Sequence, residues 1–307
     1  MTQTIGITGG TGFIGRHLTA ELIKHDYHVI IFTRHPEKRK KRPKITHAYW
    51  NPTANKIDVG ALKQVNAIVH LAGAGIADKR WTKKRKKEIV DSRVKATNFL
   101  VSQLRQYAPE CRTLVAASAM GYYGADKKGK PFVETDPPNA DFLAQTCVKW
   151  EKASMSANDF LRTAIFRFGH VLGKDGGAFP KFLQPVKFGL VPIIGSGKQV
   201  MSWIHIDDHV RMLYSAIADD QYNGAYNAVS PQPVSYKRLM KTIAKNKGGF
   251  NITAHVPTPL LNLALGEMSK ELYKSSTLSP QKLLDSGFQF QYPTIDEAVA
   301  NLMSKAH

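Results

Sequence analysis

Residues 8–15 of this 307-residue chain, Thr-Gly-Gly-Thr-Gly-Phe-Ile-Gly, have the types and spacing that hold an anion. Gly10, Gly12 and Gly15 fit the pattern G-x-G-x-x-G, and Gly9 extends it to G-x-x-G-x-x-G. Glycines so spaced allow a tight turn, a close approach of backbone to a pyrophosphate, and packing of a helix on a strand. The apolar run before the segment and the amphipathic stretch after it predict strand, turn and helix, with free amides facing the anion. An ordinary glycine-rich turn is the alternative. We expect dinucleotide contacts from Gly9, Thr11, Gly12, Phe13, Ile14 and Gly15.

The residue after the second apolar run indicates which dinucleotide. An acidic side chain about 20 residues beyond the glycines binds a ribose 2′-hydroxyl, whereas arginine accommodates a 2′-phosphate. The chain has Thr33-Arg34-His35 there and no acid. The sequence therefore predicts NADP rather than NAD, with Arg34 on the 2′-phosphate; a surface arginine without a ligand is the alternative.

The elements that must position these residues alternate between strand and helix. Apolar runs predict strands at 4–7, 27–33, 67–73, 114–118 and 163–167, and amphipathic stretches predict helices at 82–107 and 139–158. This alternation is typical of an α/β fold with a doubly wound parallel sheet, the Rossmann arrangement. Ligands of such sheets gather at the carboxyl ends of the strands. We therefore add Leu71, Ala72, Gly73 and Arg167 to the expected cofactor contacts.

The second half of the chain differs from the first in sequence pattern and composition. Beyond Gly169 the alternation weakens and glycine, proline and short apolar runs take over. We expect a first domain over 1–170 and a smaller substrate domain over 171–307. A helix near 207–218 returns to the first domain, so that the two units are intermingled.

Composition excludes several classes of protein. The apolar fraction of 43% is typical of a globular protein, and no run approaches the ~18 apolar residues of a membrane span. Cys111 and Cys147 have no metal-ligand spacing and are expected to be free thiols, which favours the cytoplasm. The net charge of +19 is concentrated in basic runs at 38–42 and 79–87, but no base-reading motif accompanies them. We expect a small-molecule substrate, no specific nucleic-acid partner, no membrane and no metal; the sequence specifies no oligomeric state.

Several motifs together resemble a known family. They are residues 8–15, His70-Leu-Ala-Gly73, Ser118-Ala-Met-Gly-Tyr-Tyr-Gly124 and Trp203-Ile-His-Ile-Asp-Asp208. With them the chain resembles an extended short-chain dehydrogenase. More narrowly, it is similar to the atypical, YfcH-like group of the NAD-dependent epimerase/dehydratase family, a match that Asp91-Ser92-Arg93 and Gly266-Glu267-Met268 extend to both halves. The resemblance implies NADP binding by the first domain and a substrate pocket between the domains.

The resemblance also shows a departure at the expected catalytic centre. A standard member carries Tyr-x-x-x-Lys in the helix after the Ser118 strand. With Glu151 taken as the family's downstream acid, Leu143 stands at the tyrosine position and Cys147 at the lysine position. Neither side chain can perform that proton transfer.

The remaining catalytic candidates are Ser118, which matches the superfamily's serine, and Tyr122 and Tyr123 in the turn that follows, of which we favour Tyr123. The hydroxyl of Ser118 could hydrogen-bond a carbonyl, and Tyr123 could exchange a proton if a cation such as Lys149 lowered its pKa. Structural packing is the alternative for Tyr123. The sequence thus predicts an NADP(H)-dependent oxidoreductase or epimerase acting on a small carbonyl or hydroxyl compound. A protein that binds or senses NADP(H) without turnover is the alternative.

Overall fold

The apolar runs of the first half pair as parallel strands in a computed structural model, which describes residues 3–126 and 129–304. The strands of the protein are Thr4–Thr8 (β1), His28–Thr33 (β2), Ile45–Asn51 (β3), Lys56–Ile57 (β4), Ala67–His70 (β5), Thr113–Ala119 (β6), Arg162–Phe168 (β7), His170–Gly173 (β8), Gly176–Gly177 (β9), Leu190–Ile194 (β10), Val200–Met201 (β11), Trp203–His205 (β12), Gly224–Ala228 (β13), Val234–Ser235 (β14) and Ile252–Val256 (β15). The helices are Phe13–Lys24 (α1), Val59–Leu62 (α2), Lys83–Tyr107 (α3), Phe142–Met155 (α4), Phe179–Lys187 (α5), Ile206–Ala218 (α6), Tyr236–Lys247 (α7), Thr258–Leu265 (α8), Lys270–Tyr273 (α9), Gln281–Asp285 (α10) and Ile295–Met303 (α11).

Within the described residues, the main sheet has eight strands in the order β13-β7-β6-β5-β1-β2-β3-β4. All neighbours are parallel except β3 and β4. The chain winds outward from β1 in both directions, so the order of strands reverses between β1 and β5. In open α/β sheets, such a switch point opens a crevice at the carboxyl edge. Thr8 pairs with both Phe32 and His70, which brings the ends of β1, β2 and β5 to one place.

Side chains alternate between the two faces of this sheet. In β2, Val29 and Ile31 belong to the core under α1 and α6, whereas Ile30 and Phe32 belong to the core under α3. Both faces are covered, which explains why the strands are nearly continuous apolar runs. The expected α/β doubly wound fold is confirmed.

The second half forms a smaller core of its own around α5, α7 and α11. The returning helix predicted near 207–218 is α6, which packs against α1. The chain then adds β13 to the main sheet beside β7. Both α6 and β13 lie beyond residue 170 in the chain but pack with the elements of the first unit. The boundary between two domains at residue 170 stays a prediction.

Three strands of the main sheet, β3, β4 and β13, were not predicted from the sequence, and β4 is only two residues long. β3 reads Ile-Thr-His-Ala-Tyr-Trp-Asn and β13 reads Gly-Ala-Tyr-Asn-Ala, so neither forms the continuous apolar run of a central strand. Across the described residues, no helix is long and apolar enough to cross a membrane.

Candidate functional site

The glycine loop between β1 and α1 has the geometry that its sequence predicts. Gly9 has φ +75°, and a Cβ there would lie 2.9 Å from the backbone at Leu71 and Ala72. A Cβ on Gly15 would lie 2.5 Å from the Gly9 oxygen, so this glycine lets α1 pack on the turn. Gly12 caps α1 without a side chain, and the first turn of the helix contains no acid. The loop therefore presents free amides and a helix dipole, a cradle that fits a pyrophosphate.

The other predicted cofactor residues lie along the same edge. Arg34 follows β2 directly, is exposed, and makes no hydrogen bond or ion pair within residues 3–126 and 129–304. Its guanidinium is free for an anionic group. Gly73 is exposed at the end of β5, and the remaining loop residues are half-buried: Thr11, Phe13, Ile14, Leu71 and Ala72. These contacts fit a dinucleotide and stay predictions.

Side chains of α3 hold the loop after β5 in place. Ser92 Oγ accepts a hydrogen bond from the Ala74 amide (3.1 Å), and Nη1 of Arg93 donates to the Ala74 carbonyl (2.9 Å). A Cβ on Gly73 would lie 3.3 Å from the Arg93 guanidinium carbon. Arg93 thus places a cation beside a predicted cofactor residue. Arg93 was not among the predicted cofactor residues, and the only signal for it in the sequence was the motif Asp91-Ser92-Arg93.

One face of α4 runs along the segment after β6. A Cβ on Gly121 would lie 3.1 Å from Leu143 Cβ, Cys147 Sγ lies 3.7 Å from the Ala119 oxygen, and Glu151 contacts Ser118. The spacing of four residues between Leu143, Cys147 and Glu151 places all three on this face. Burial raises the pKa of the Cys147 thiol to about 12, so the group is uncharged at neutral pH. The lysine position of the motif therefore contains a neutral side chain.

Ser118 lies in a buried ion-pair network rather than at an open surface. The Ser118 hydroxyl donates to Glu151 Oε1 at 2.6 Å, and the serine is 1% exposed. Arg167 binds both oxygens of the same carboxylate, at 2.9 and 2.8 Å. The serine proton is therefore committed to Glu151, which leaves only an acceptor lone pair for a substrate.

The predicted roles of Tyr123 and Arg167 do not fit their surroundings. The Tyr123 hydroxyl accepts from Arg167 (2.6 Å) and donates to Asn227 Oδ1 (2.8 Å), and the side chain is fully buried. Burial raises the pKa of Tyr123, and Arg167 offsets this rise only in part. The neighbouring cation is Arg167 and not Lys149, which is exposed. Arg167 is 3% exposed and its nitrogens bind protein groups, so neither residue presents a polar group to a ligand.

The adjacent Tyr122 differs from Tyr123 in these respects. Its side chain is half-buried, and the guanidinium of Arg167 stacks 3.6 Å from its ring centre. The Tyr122 hydroxyl makes no hydrogen bond to any residue of the described ranges. The sequence offered both tyrosines, and we favoured Tyr123, because adjacent residues give no signal of which hydroxyl the fold will bury.

Comparison with known proteins agrees with this architecture. Residues 5–228 match the NAD dependent epimerase/dehydratase family, and residues 256–302 match a domain of unknown function, DUF1731. The epimerase family protein YfhF of Bacillus subtilis is 35% identical, with 98% of each chain covered. An epimerase family protein SDR39U1 homolog, chloroplastic, of Arabidopsis thaliana is 33% identical over 98% of this chain and 87% of its own.

A solved structure extends the comparison to the whole fold. The crystal structure of human epimerase family protein SDR39U1 (isoform2) with NADPH superposes with a TM-score of 0.85 at 26% identity, covering 98% of this chain and 99% of that one. The predicted family is confirmed over both halves. On these matches and on the glycine loop at the switch point of its sheet, the chain belongs to the NAD dependent epimerase/dehydratase family.

Proposed function

We propose that the protein binds NADP(H) at the carboxyl edge of the main sheet and acts as an oxidoreductase or epimerase on a small carbonyl or hydroxyl compound. The observation that carries the cofactor assignment is Arg34, which directly follows β2 beside the cradle of residues 9–15, is exposed, and pairs with no side chain of the part of the chain that the structure describes. Arginine at this point favours a 2′-phosphate. The structure of the human relative with NADPH supports the same choice.

The residues of this chain would divide the work of binding. The loop amides and the start of α1 hold the pyrophosphate, and Arg34 holds the 2′-phosphate. Arg93, fixed beside Gly73 by its bond to Ala74, supplies a cation where the motif's lysine is absent. When bound, the nicotinamide would give or take a hydride.

Proton transfer in this proposal falls to Tyr122. Its hydroxyl bonds to no residue among those that the structure describes, whereas those of Ser118 and Tyr123 are engaged in the buried network. The guanidinium of Arg167 stacks on the Tyr122 ring and fixes its orientation. Tyr122→Phe should therefore lower turnover on an identified substrate by about a hundredfold. NADPH affinity should stay unchanged.

A second candidate is a protein that binds or senses NADP(H) without turnover. The commitment of Ser118 and Tyr123 to internal hydrogen bonds favours it. Incubating the protein with NADPH and a panel of carbonyl compounds distinguishes the two candidates. Only an enzyme that reduces one of the compounds lowers the absorbance of the reduced nicotinamide.

The cofactor assignment is tested by titrating the protein with NADPH and with NADH. We expect tighter binding of NADPH, and Arg34→Ala should weaken it about tenfold or more while leaving NADH nearly unchanged, since a charge-assisted contact is lost. Arg105→Ala is the matched control, because Arg105 is an exposed arginine near the far end of α3, paired with Asp159. Equal affinity of the unmutated protein for both cofactors would refute the assignment.

A further inference from the structure

A cavity of about 380 Å³ lies between the start of α4 and the residues around α9. Trp81, Phe142, Leu143 and Tyr273 form apolar walls. The rings of Trp81 and Phe142 meet edge to face, with centroids 5.2 Å apart. The indole nitrogen of Trp81 donates to the Ile76 carbonyl at 2.8 Å, which fixes this wall. The volume is at the lower end of the range for small-molecule pockets, about 300–1,000 Å³.

The cavity adjoins the centre that the proposed function requires. Leu143 lines it and stands at the family's tyrosine position, against Gly121 in the segment after β6. A tyrosine there would occupy part of this space. Leucine in place of tyrosine at position 143 therefore both removes the catalytic hydroxyl and leaves apolar space in the cavity.

Two lysines line the described part of this cavity, the exposed Lys270 and the more buried Lys274. The ammonium of Lys274 lies 2.6 Å from Glu271 and 3.8 Å from Asp141, and its side chain is 14% exposed. Asp141 Oδ1 caps α4 by accepting from the Ala144 amide. Lys274 is thus a hydrogen-bond donor held between carboxylates, so that its charge is neutralised without a ligand.

The same charges disfavour a nucleotide sugar. Asp141, Glu267 and Glu271 line the cavity, and none of its described lining residues is an arginine. These three carboxylates outnumber the two lysines of the described lining, Lys270 and Lys274, so a diphosphate would meet a net negative surface, which disfavours anions. An uncharged compound with one oxygen acceptor meets no such penalty.

We infer that this cavity takes a small, uncharged aromatic ketone or alcohol, whose ring packs on the aromatic walls and whose oxygen accepts a hydrogen bond from Lys274. The inference rests on the proposed function, because the cavity becomes a substrate pocket only if the cofactor binds beside it. Binding to the cavity can nevertheless be measured independently of turnover.

The test uses 4-nitroacetophenone as the probe and quenching of tryptophan fluorescence as the readout. Trp50, Trp150 and Trp203 are each at most 5% exposed, so saturable quenching should come from Trp81 and disappear in Trp81→Phe. Lys274→Met should weaken the probe about tenfold or more, because a charged donor is lost. Lys270→Met is the matched control, since Lys270 is an exposed lysine of the same lining, and it should change affinity less than about twofold.

Every outcome has a defined meaning when NADPH binding is measured on the same samples. Intact NADPH binding by Lys274→Met shows that the variant is folded. Absence of saturable probe binding, equal effects of the two lysine variants, or binding of UDP-glucose in competition with the probe overturns the inference while the cofactor assignment stands. Failure of NADPH to bind, with the probe bound as expected, contradicts the proposed function instead.

Discussion

Replacing Tyr123 by phenylalanine should destabilise the fold rather than remove a catalytic group. The change deletes one hydroxyl and leaves the ring, which stacks on Phe132 with centroids 4.9 Å apart. That hydroxyl connects Arg167 of β7 to Asn227 of β13, and all three side chains are buried. The variant therefore breaks a link between two neighbouring strands of the main sheet.

The magnitude follows from the two bonds that are lost. A hydrogen bond from a charged donor such as Arg167 contributes about 1.5–3 kcal/mol, and a neutral one such as that to Asn227 about 0.5–1.5 kcal/mol. Arg167 Nη1 keeps its bond to the Glu134 carbonyl at 3.0 Å, whereas Asn227 Oδ1 has no other donor among the described residues. We expect the free energy of unfolding to fall by about 2–4 kcal/mol.

Urea unfolding followed by circular dichroism measures this loss. Tyr122→Phe is the matched control, because its hydroxyl has no partner in the described ranges, and it should change the free energy of unfolding by less than about 0.5 kcal/mol. NADPH affinity should be the same in both variants under native conditions. A Tyr123→Phe protein as stable as the unmutated one, with turnover lost, would refute the structural role and restore the catalytic one.

Three further predictions concern the loop, a buried histidine and the thiols. Gly15→Ala should abolish NADPH binding and lower the free energy of unfolding by about 1–3 kcal/mol, because its Cβ would overlap the Gly9 oxygen. The control is Gly60→Ala, whose Cβ would lie 3.4 Å from its nearest neighbour and which should change neither quantity. NADPH titration and thermal unfolding of both variants measure the two effects. Burial lowers the pKa of His209 to about 3, so the unfolded chain takes up its proton first as pH falls below about 6.5, and this histidine alone should cost about 2 kcal/mol of stability at pH 5. His209→Leu should lose that pH dependence in urea unfolding measured between pH 7 and 5. Burial also raises the pKa of Cys147 to about 12 and that of Cys111 to about 11, so neither thiol should react rapidly with a disulfide reagent at pH 8 before denaturation.

Each of these three predictions would be contradicted by a specific result. Full NADPH affinity in Gly15→Ala would show that α1 does not need this close contact. A pH profile of unfolding identical in His209→Leu and the unmutated protein would show that His209 is protonated equally in both states. One fast-reacting thiol in the native protein would show that a cysteine is more accessible and more acidic than the structure has it.

The parts of the fold that the sequence could predict are those encoded locally. The period of apolar residues located β1, β2, β5, β6 and β7, and the end of the predicted helix at Tyr107 coincides with that of α3. The glycine spacing of residues 9–15 predicted the loop, because Gly9 and Gly15 lie where a Cβ would clash with the segment after β5 or with backbone a few residues away. Local encoding also placed Leu143, Cys147 and Glu151 on one helical face.

The parts that could not be predicted depend on distant pairing. Which of Tyr122 and Tyr123 is buried depends on Asn227, 104 residues beyond Tyr123, on a strand whose short polar sequence gave no apolar run. Arg167 follows the apolar positions of β7 and ends a strand at the ligand edge, so its sequence position suggested a ligand. Its carboxylate partner, Glu151, lies on a separate element and was considered only as a marker of alignment.

The loss of the Tyr-x-x-x-Lys motif from α4 and the buried network of Ser118, Glu151 and Arg167 are two parts of one change in the site. In a site with Tyr-x-x-x-Lys, the serine hydroxyl is available to the substrate and the lysine supplies the local cation. Here the lysine position is an uncharged Cys147, while Glu151 one turn further on binds both Ser118 and Arg167. A serine that donates to a carboxylate already paired with arginine cannot donate to a substrate oxygen at the same time. In the proposed function, the proton therefore comes from a group outside the network, Tyr122, whose replacement, unlike that of Ser118, should separate an enzyme from a cofactor-binding protein.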